Sequence, residues 1–207
     1  MPLAVDVTLY VIRHGQTDWN RDRRLQGQID IPINALGREQ AAHNGRALRH
    51  ADVPLDTLDF VASPLSRTTE TMEILREAAG LPRAGFATDP RLKEIKYGDW
   101  EGALLSELKA SDPAGYRERN ANKYYWRPNN GESYAELSER VDGWLSEVER
   151  DAVVVTHGGV TRVLRGLVQP MTQNDVPNQI VPQDRVLVLR HDGHAWLDGQ
   201  PDEIASA

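Results

Sequence analysis

A chain of 207 residues has room for one sizeable hydrophobic core, so residues 1–207 read as a single domain. The formal charge of −7 and the scatter of Lys and Arg argue against a nucleic-acid partner; the one dense basic cluster, Arg21, Arg23 and Arg24, is partly offset by Asp18 and Asp22 and suits a small anionic ligand. The lack of cysteine excludes disulfides, thiolate nucleophiles and cysteine-ligated zinc. With no basic leader and no apolar run of bilayer-spanning length, the expectation is a soluble cytoplasmic protein with no membrane partner.

Val5 to Ile12, rich in β-branched and aromatic residues, reads as a buried strand that gives way to Arg13-His14-Gly15. An amphipathic helix is expected over Gly37 to Arg49. Leu58 to Ala62 is a second strand, and Ser63 as N-cap with Pro64 at the first helical position starts a helix over Leu65 to Ala79. Residues 101–130 break the pattern with Asp112-Pro113, several aromatics and the loop Arg127-Pro128-Asn129-Asn130-Gly131; this segment is expected to be an insertion folded over one edge of the sheet, capping the substrate. Glu132 to Val148 is helical, Ala152 to Thr156 is the clearest strand, and Val160 to Val168 is helical again. Val186 to Leu189 and Ala195 to Leu197 form a late hairpin around His191-Asp192-Gly193, its edge strand offering a surface for a homodimer, and the tail after Gly199 is expected to fray. Strand and helix alternating in this way argue for an α/β layer fold with a mostly parallel central sheet.

In such sheets ligands bind beyond the carboxyl ends of the strands. The first strand releases Arg13 and His14, the second leads within four residues to Arg67, and the third releases His157, Gly158 and Gly159. Two arginines and two histidines meeting at one rim make a site for a phosphate dianion, because the guanidinium fork pairs with phosphate oxygens and keeps its charge. Gly15, Gly158 and Gly159 open the backbone to an oxyanion, and the helix after Gly158 points its positive end at the ligand. His14, kept neutral by surrounding cations, is the expected nucleophile, and His157 a second stabiliser of charge. The leaving alkoxide needs a proton, for which Glu94 is a candidate, with Asp99 and Glu101 as close alternatives.

The motifs resemble those of the histidine phosphatase superfamily, in the branch holding cofactor-dependent phosphoglycerate mutases and small bacterial phosphatases. They run in order along nearly the whole chain: Arg13-His14-Gly15-Gln16-Thr17-Asp18-Trp19-Asn20, Leu25-Gln26-Gly27, Ser63-Pro64-Leu65-Ser66-Arg67-Thr68, Leu92-Lys93-Glu94 with Gly98-Asp99-Trp100-Glu101-Gly102, Gly131-Glu132-Ser133, and Thr156-His157-Gly158-Gly159. The resemblance implies a phosphoglycerate mutase-like three-layer α/β/α sandwich and a phosphohistidine at His14. It places Arg13, Arg67, His157 and Gly158 in the phosphate pocket, Glu94 as the proton donor and later the activator of water, and Asn20, Gln26 and Gly27 along the substrate side. Asn34 stands where a threonine is common, which bears on a helix cap alone.

Mutases of this branch carry an Arg-His-Tyr-Gly-like run after the acid. Here Ile95-Lys96-Tyr97-Gly98 follows Glu94, which resembles the phosphatases. Lys123-Tyr124-Tyr125-Trp126-Arg127 is similar to the sugar-bisphosphatase domain of the bifunctional fructose enzyme, a hint about substrate. The expected activity is therefore a phosphomonoesterase acting on a small phosphorylated metabolite, with no metal or other cofactor. The alternatives are a phosphoglycerate mutase and a non-catalytic phospho-ligand or protein-binding module. His43, His50, His191 and His194 lack ligand-like spacing and read as surface residues. Tyr124, Tyr125 and Trp126 either wall the pocket or serve, like Trp19, Trp100, Trp144 and Trp196, as packing anchors.

Overall fold

A computed structural model describes residues 3–198 apart from 5 and 52. Val5 at the head of the expected first strand and the tail after Gly199 lie outside the described residues. The strands are β1 (Leu9–Arg13), β2 (Asp59–Ala62), β3 (Ala87–Thr88), β4 (Ala152–Thr156), β5 (Arg185–Arg190) and β6 (Gly193–Asp198). The α-helices are α1 (Asp18–Arg21), α2 (Ala35–His50), α3 (Ser66–Ala78), α4 (Leu105–Ser111), α5 (Pro113–Ala121), α6 (Tyr134–Leu145) and α7 (Gly158–Val168).

The sheet runs β3-β2-β4-β1-β5-β6. The first four strands are mutually parallel, and β5 and β6 add an antiparallel edge, so the mostly parallel sheet is a mixed one. All five residues of β4 are buried, as a strand covered on both faces requires. Side-chain alternation divides the core. Leu9 and Val11 of β1 and Val154 of β4 point into a cluster with Leu137 and Val141 of α6 and Val163 and Leu164 of α7. Tyr10, Ile12, Val153 and Val155 point the other way, against Leu48 of α2 and Met72 and Leu75 of α3. Two helix pairs sandwiching one sheet make the three layers that the motifs implied.

Boundaries shift at three places for physical reasons. The first strand pairs only from Leu9, where both β4 and β5 become available as neighbours. Ser63 does not cap α3: the N-cap is Leu65 with no side-chain bond, and the loop residue Asp30 instead accepts from the Ser66 N–H at 2.9 Å and its hydroxyl at 2.8 Å. The Ser63 hydroxyl is turned inward to a histidine ring, described below. The helix expected from Glu132 starts at Tyr134 because Ser133 and Glu136 form a reciprocal capping box, with bonds of 3.2 and 2.8 Å. Asn34 caps α2 by accepting from the Gly37 N–H at 3.0 Å, so the missing threonine costs no cap.

Residues 101–130 fold as α4 and α5 with connecting loops, tied to the segment after α1. Gly102 donates to Leu25 O at 2.7 Å, Leu25 donates to Ala103 O at 3.0 Å, and Trp100 Nε1 donates to Asp112 at 3.1 Å. Trp100 and Trp144 are buried anchors, and Trp100 packs on Trp126 with ring centroids 4.3 Å apart. Among the described residues no helix is long and apolar enough to cross a membrane.

Candidate active site

The carboxyl ends of β1, β2 and β4 meet at one cavity of about 150 Å³. Arg13, His14, Arg67, Glu94 and Gly158 line it, and Asn20, Gln26 and Gly27 close its side, so all the expected residues but His157 reach its wall. His14 leaves β1 with its backbone N–H still donating to Thr156 O at 2.9 Å, which ties the ring to the central strand pair. Its Nδ1 lies 2.8 Å from the carbonyl of Gly15. A carbonyl only accepts, so Nδ1 carries the hydrogen and Nε2 carries a lone pair. Burial, then the charges of Arg67 and Arg13, hold the His14 pKa well below that of a free imidazole. The ring is therefore neutral at pH 7, with one nitrogen available.

Arg67 is fully buried on the first turn of α3. Its Nη2 donates to Gly27 O at 2.7 Å, Nη1 to Ile29 O at 2.9 Å and Nε to His157 Nδ1 at 3.3 Å. Two of its five N–H groups remain for a ligand. Arg13 Nη1 donates to Val181 O at 3.0 Å, while its buried Nε has no partner among the described residues. Burial lowers both guanidinium groups to a pKa of about 10, which leaves them charged at neutral pH. An unpaired buried N–H costs on the order of 1–3 kcal/mol, which an oxyanion in the cavity would recover.

His157 follows β4 as expected and lies fully buried beside His14, without itself lining the cavity. Both ring nitrogens are engaged: Nδ1 accepts from Arg67, and Nε2 lies 2.8 Å from Ser63 Oγ, to which it donates. Burial first, then Arg67 and His14, hold this ring neutral too, with its centroid 5.1 Å from that of His14. The geometry makes Ser63, His157 and Arg67 a single chain that fixes the Arg67 fork.

The three candidate acids separate clearly. Glu94 lines the cavity, its Oε1 accepting from Ile95 N–H at 2.8 Å and Gly159 N–H at 3.0 Å. Glu101 is spent on the backbone, accepting from Gln28 and Tyr97 N–H at 3.0 and 3.1 Å, and Asp99 faces solvent beside Asn130. The motif Gly131-Glu132-Ser133 acquires a purpose here, since Glu132 grips Arg140 at 2.6 and 2.8 Å and Arg140 donates to Glu94 O at 3.1 Å. Gln28 Nε2 donates to the same carbonyl at 3.0 Å, so the backbone of the acid is clamped from two sides.

Two glycine readings change. The Gly15 N–H donates to Thr71 Oγ1 at 3.0 Å, and a Cβ on Gly15 would fall 2.1 Å from Gly37 O; close packing on α2 demands the glycine, whatever binds in the cavity. A Cβ on Gly159 would fall 2.3 Å from Glu94 Oε1, so that glycine makes room for the acid.

Arg24, of the basic cluster that suits a small anionic ligand, also lines the cavity, as do Tyr97 and Arg162, to which the sequence assigned no site role. Arg162 follows Gly158 by four residues, one helical turn along the same face of α7, and that spacing was the available signal. Gln183 is a further omission with no local signature: its Nε2 donates to His14 O at 2.9 Å and to Asn20 Oδ1 at 3.1 Å. Of the aromatic run, Trp126 lines a smaller neighbouring cavity, Tyr124 packs on the core and donates to Ser138, and Tyr125 is 54% exposed.

Known proteins share this arrangement of elements and sequence. Glucosyl-3-phosphoglycerate phosphatase of Mycolicibacterium vanbaalenii is 30% identical over 95% of this chain and 89% of its own length. The probable phosphoglycerate mutase GpmB of Salmonella arizonae is 36% identical over a segment that is 67% of this chain and 61% of that protein. The crystal structure of the alpha-ribazole phosphatase from Shigella flexneri superimposes with a TM-score of 0.77 at 26% identity, covering 88% of this chain and 89% of that one. The family model of the histidine phosphatase superfamily (branch 1) matches residues 9–197, and the chain belongs to that superfamily.

Proposed function

We propose that the protein hydrolyses a small phosphorylated metabolite by way of a phosphohistidine on His14. The observation that carries this reading is the His14 ring itself: Nδ1–H is committed to Gly15 O, so the lone pair of Nε2 is left free beside two arginines with unused N–H groups. The Nε2 lone pair forms the bond to phosphorus as the ester P–O bond breaks. Arg13 and Arg67 offset the charge on the phosphoryl oxygens, and the proton of the Glu94 carboxyl passes to the leaving oxygen. A water then attacks the phosphohistidine, giving its proton to Glu94 and releasing phosphate from Nε2. His157 acts by orienting Arg67. The phosphatase names of two of the relatives described above support the same reading.

Brief acid quenching with ³²P-labelled ester is expected to trap an acid-labile, base-stable phosphoenzyme, absent from His14→Ala. Wild-type turnover by His14→Ala would overturn the reading. Because the arginines supply the positive charge, dialysis against a chelator is expected to leave kcat unchanged.

The mutase-named relative gives an isomerase reading a specific basis. Incubating phosphoglycerates with a bisphosphorylated primer separates the two, since an isomerase interconverts them and a hydrolase releases inorganic phosphate. A cytoplasmic location and a homodimer paired along the exposed β6 edge complete the proposal; a monomer in sedimentation velocity at micromolar concentration would remove the dimer.

A further inference from the structure

Strand β5 enters the sheet at the rim where β1 leaves it. Leu189 pairs with Leu9 and Leu187 with Val11, which carries the residues before Arg185 past the end of β1. An antiparallel neighbour thus delivers its leading residues, rather than its last ones, to the ligand side. Val181 O accepts from Arg13 Nη1 at 3.0 Å, and Gln183 Nε2 donates to His14 O at 2.9 Å and to Asn20 Oδ1 at 3.1 Å. Both hydrogens of one amide nitrogen are engaged, one on the main chain of the nucleophile and one on a side chain of the cavity wall.

The Asn20 amide makes the second bond intelligible. Thr17 N–H meets it at 3.2 Å, and because a backbone N–H only donates, the atom it meets is the oxygen Oδ1. Gln183 gives that oxygen a second donor from a different part of the fold. At the other end, Nδ2 donates one hydrogen to Gln26 Oε1 at 3.3 Å, and its second hydrogen is left for a ligand in the cavity that Asn20 lines. One long bond lets an amide swing about its own axis, whereas two donors from separate elements fix its plane.

The main chain of Gln183 is anchored by an unusual group. Asn44 lies in the buried stripe of α2 with Ala41, Gly45 and Leu48, a face that otherwise packs without polar side chains. Its Nδ2 donates to Gln183 O at 3.0 Å, while its buried Oδ1 has no partner among the described residues. An unmet buried acceptor weakens the fold. The asparagine holds Gln183 where a hydrocarbon side chain would only pack.

We propose that Gln183 is a positioning residue for phosphoryl transfer: its amide nitrogen couples the His14 main chain to the Asn20 side chain, so that the free Nδ2 hydrogen of Asn20 meets a phosphoryl oxygen as His14 Nε2 reaches phosphorus. The proposal rests on the phosphatase reading. Gln183 touches no reacting atom and acts through Asn20.

A double-mutant cycle on kcat/KM for p-nitrophenyl phosphate, with rates referred to folded protein, tests the coupling. Gln183→Met, similar in volume but without a donor, is expected to lose about ten- to thirtyfold in the otherwise wild-type protein. In an Asn20→Ala background the same change is expected to cost about threefold or less, because no amide is left to orient. Gln183→Glu sets an acceptor against both oxygens and is expected to show a larger loss with the same disappearance in Asn20→Ala; it decides the matter if Gln183→Met does not fold. A loss below about twofold in the wild-type background would overturn the proposal. So would equal losses in the two backgrounds, which would make Gln183 a support of its loop alone. Wild-type protein that releases no phosphate from this ester and traps no phosphoenzyme would instead sink the phosphatase reading, and the proposal with it.

Discussion

Glu94 accepts N–H bonds from Ile95 and Gly159, so Glu94→Gln keeps the shape and one acceptor oxygen while removing the transferable proton. For alkyl phosphates the expected loss in kcat is about 10²–10⁴-fold. For p-nitrophenyl phosphate, whose leaving group departs without a proton, a much smaller loss is expected. Steady-state assays of both esters check this, and an equal loss on both would remove the acid role. Ser63→Ala leaves a buried His157 Nε2–H without its acceptor, a cost of about 1–3 kcal/mol felt at Arg67. The expected outcome is a roughly tenfold weaker inhibition by inorganic phosphate, restored by Ser63→Thr; an unchanged inhibition constant would show that the Ser63–His157–Arg67 chain does not hold the fork. His14, Arg13 and Arg67 were legible in the sequence because each sits at or just past a strand end. The true partner of His157 was not, since Ser63 carried a local N-cap signature that tertiary packing redirected to the ring.

At the scale of elements, α7 positions both ends of the reaction: its first residue, Gly158, lines the cavity, and its second, Gly159, donates to the acid. Gly159→Ala drives a methyl to 2.3 Å from Glu94 Oε1, so the carboxylate has to move while Arg13 and Arg67 stay in place. A fall in kcat of about 10–100-fold is expected, with inhibition by phosphate little changed; a loss of phosphate affinity instead would mean that the glycine serves the anion directly. The long periodic elements were readable to within a few residues because their apolar faces repeat at 3.6 or 2 residues. β3 was not, because a two-residue exposed edge strand has no period to detect. Nor was the link from Gln183 to His14 and Asn20, which comes from a loop, a strand end and a helix brought together by packing.

For the whole molecule, burying two neutral imidazoles under the sheet rim links stability to pH. Both folded-state pKa values lie well below the ordinary 6.5, burial being the largest cause in each case. Below pH 6.5 the unfolded chain takes up protons at these two positions and the native protein does not. The contribution is therefore complete above pH 6.5 and is lost as pH falls, by up to about 1.4 kcal/mol per unit for each ring. The carboxylates with lowered pKa, Asp89 and Glu136 among them, act with the same sign but nearer pH 4, so the histidines dominate the window above 5. From pH 7.0 to 5.5 the two rings together are expected to remove about 2.5 kcal/mol, read as a lower midpoint in urea unfolding. His14→Gln deletes one titrating group from the same cavity and is expected to halve the loss. Identical losses in the two proteins would place the protonating group elsewhere and leave the neutral state of His14 without thermodynamic support.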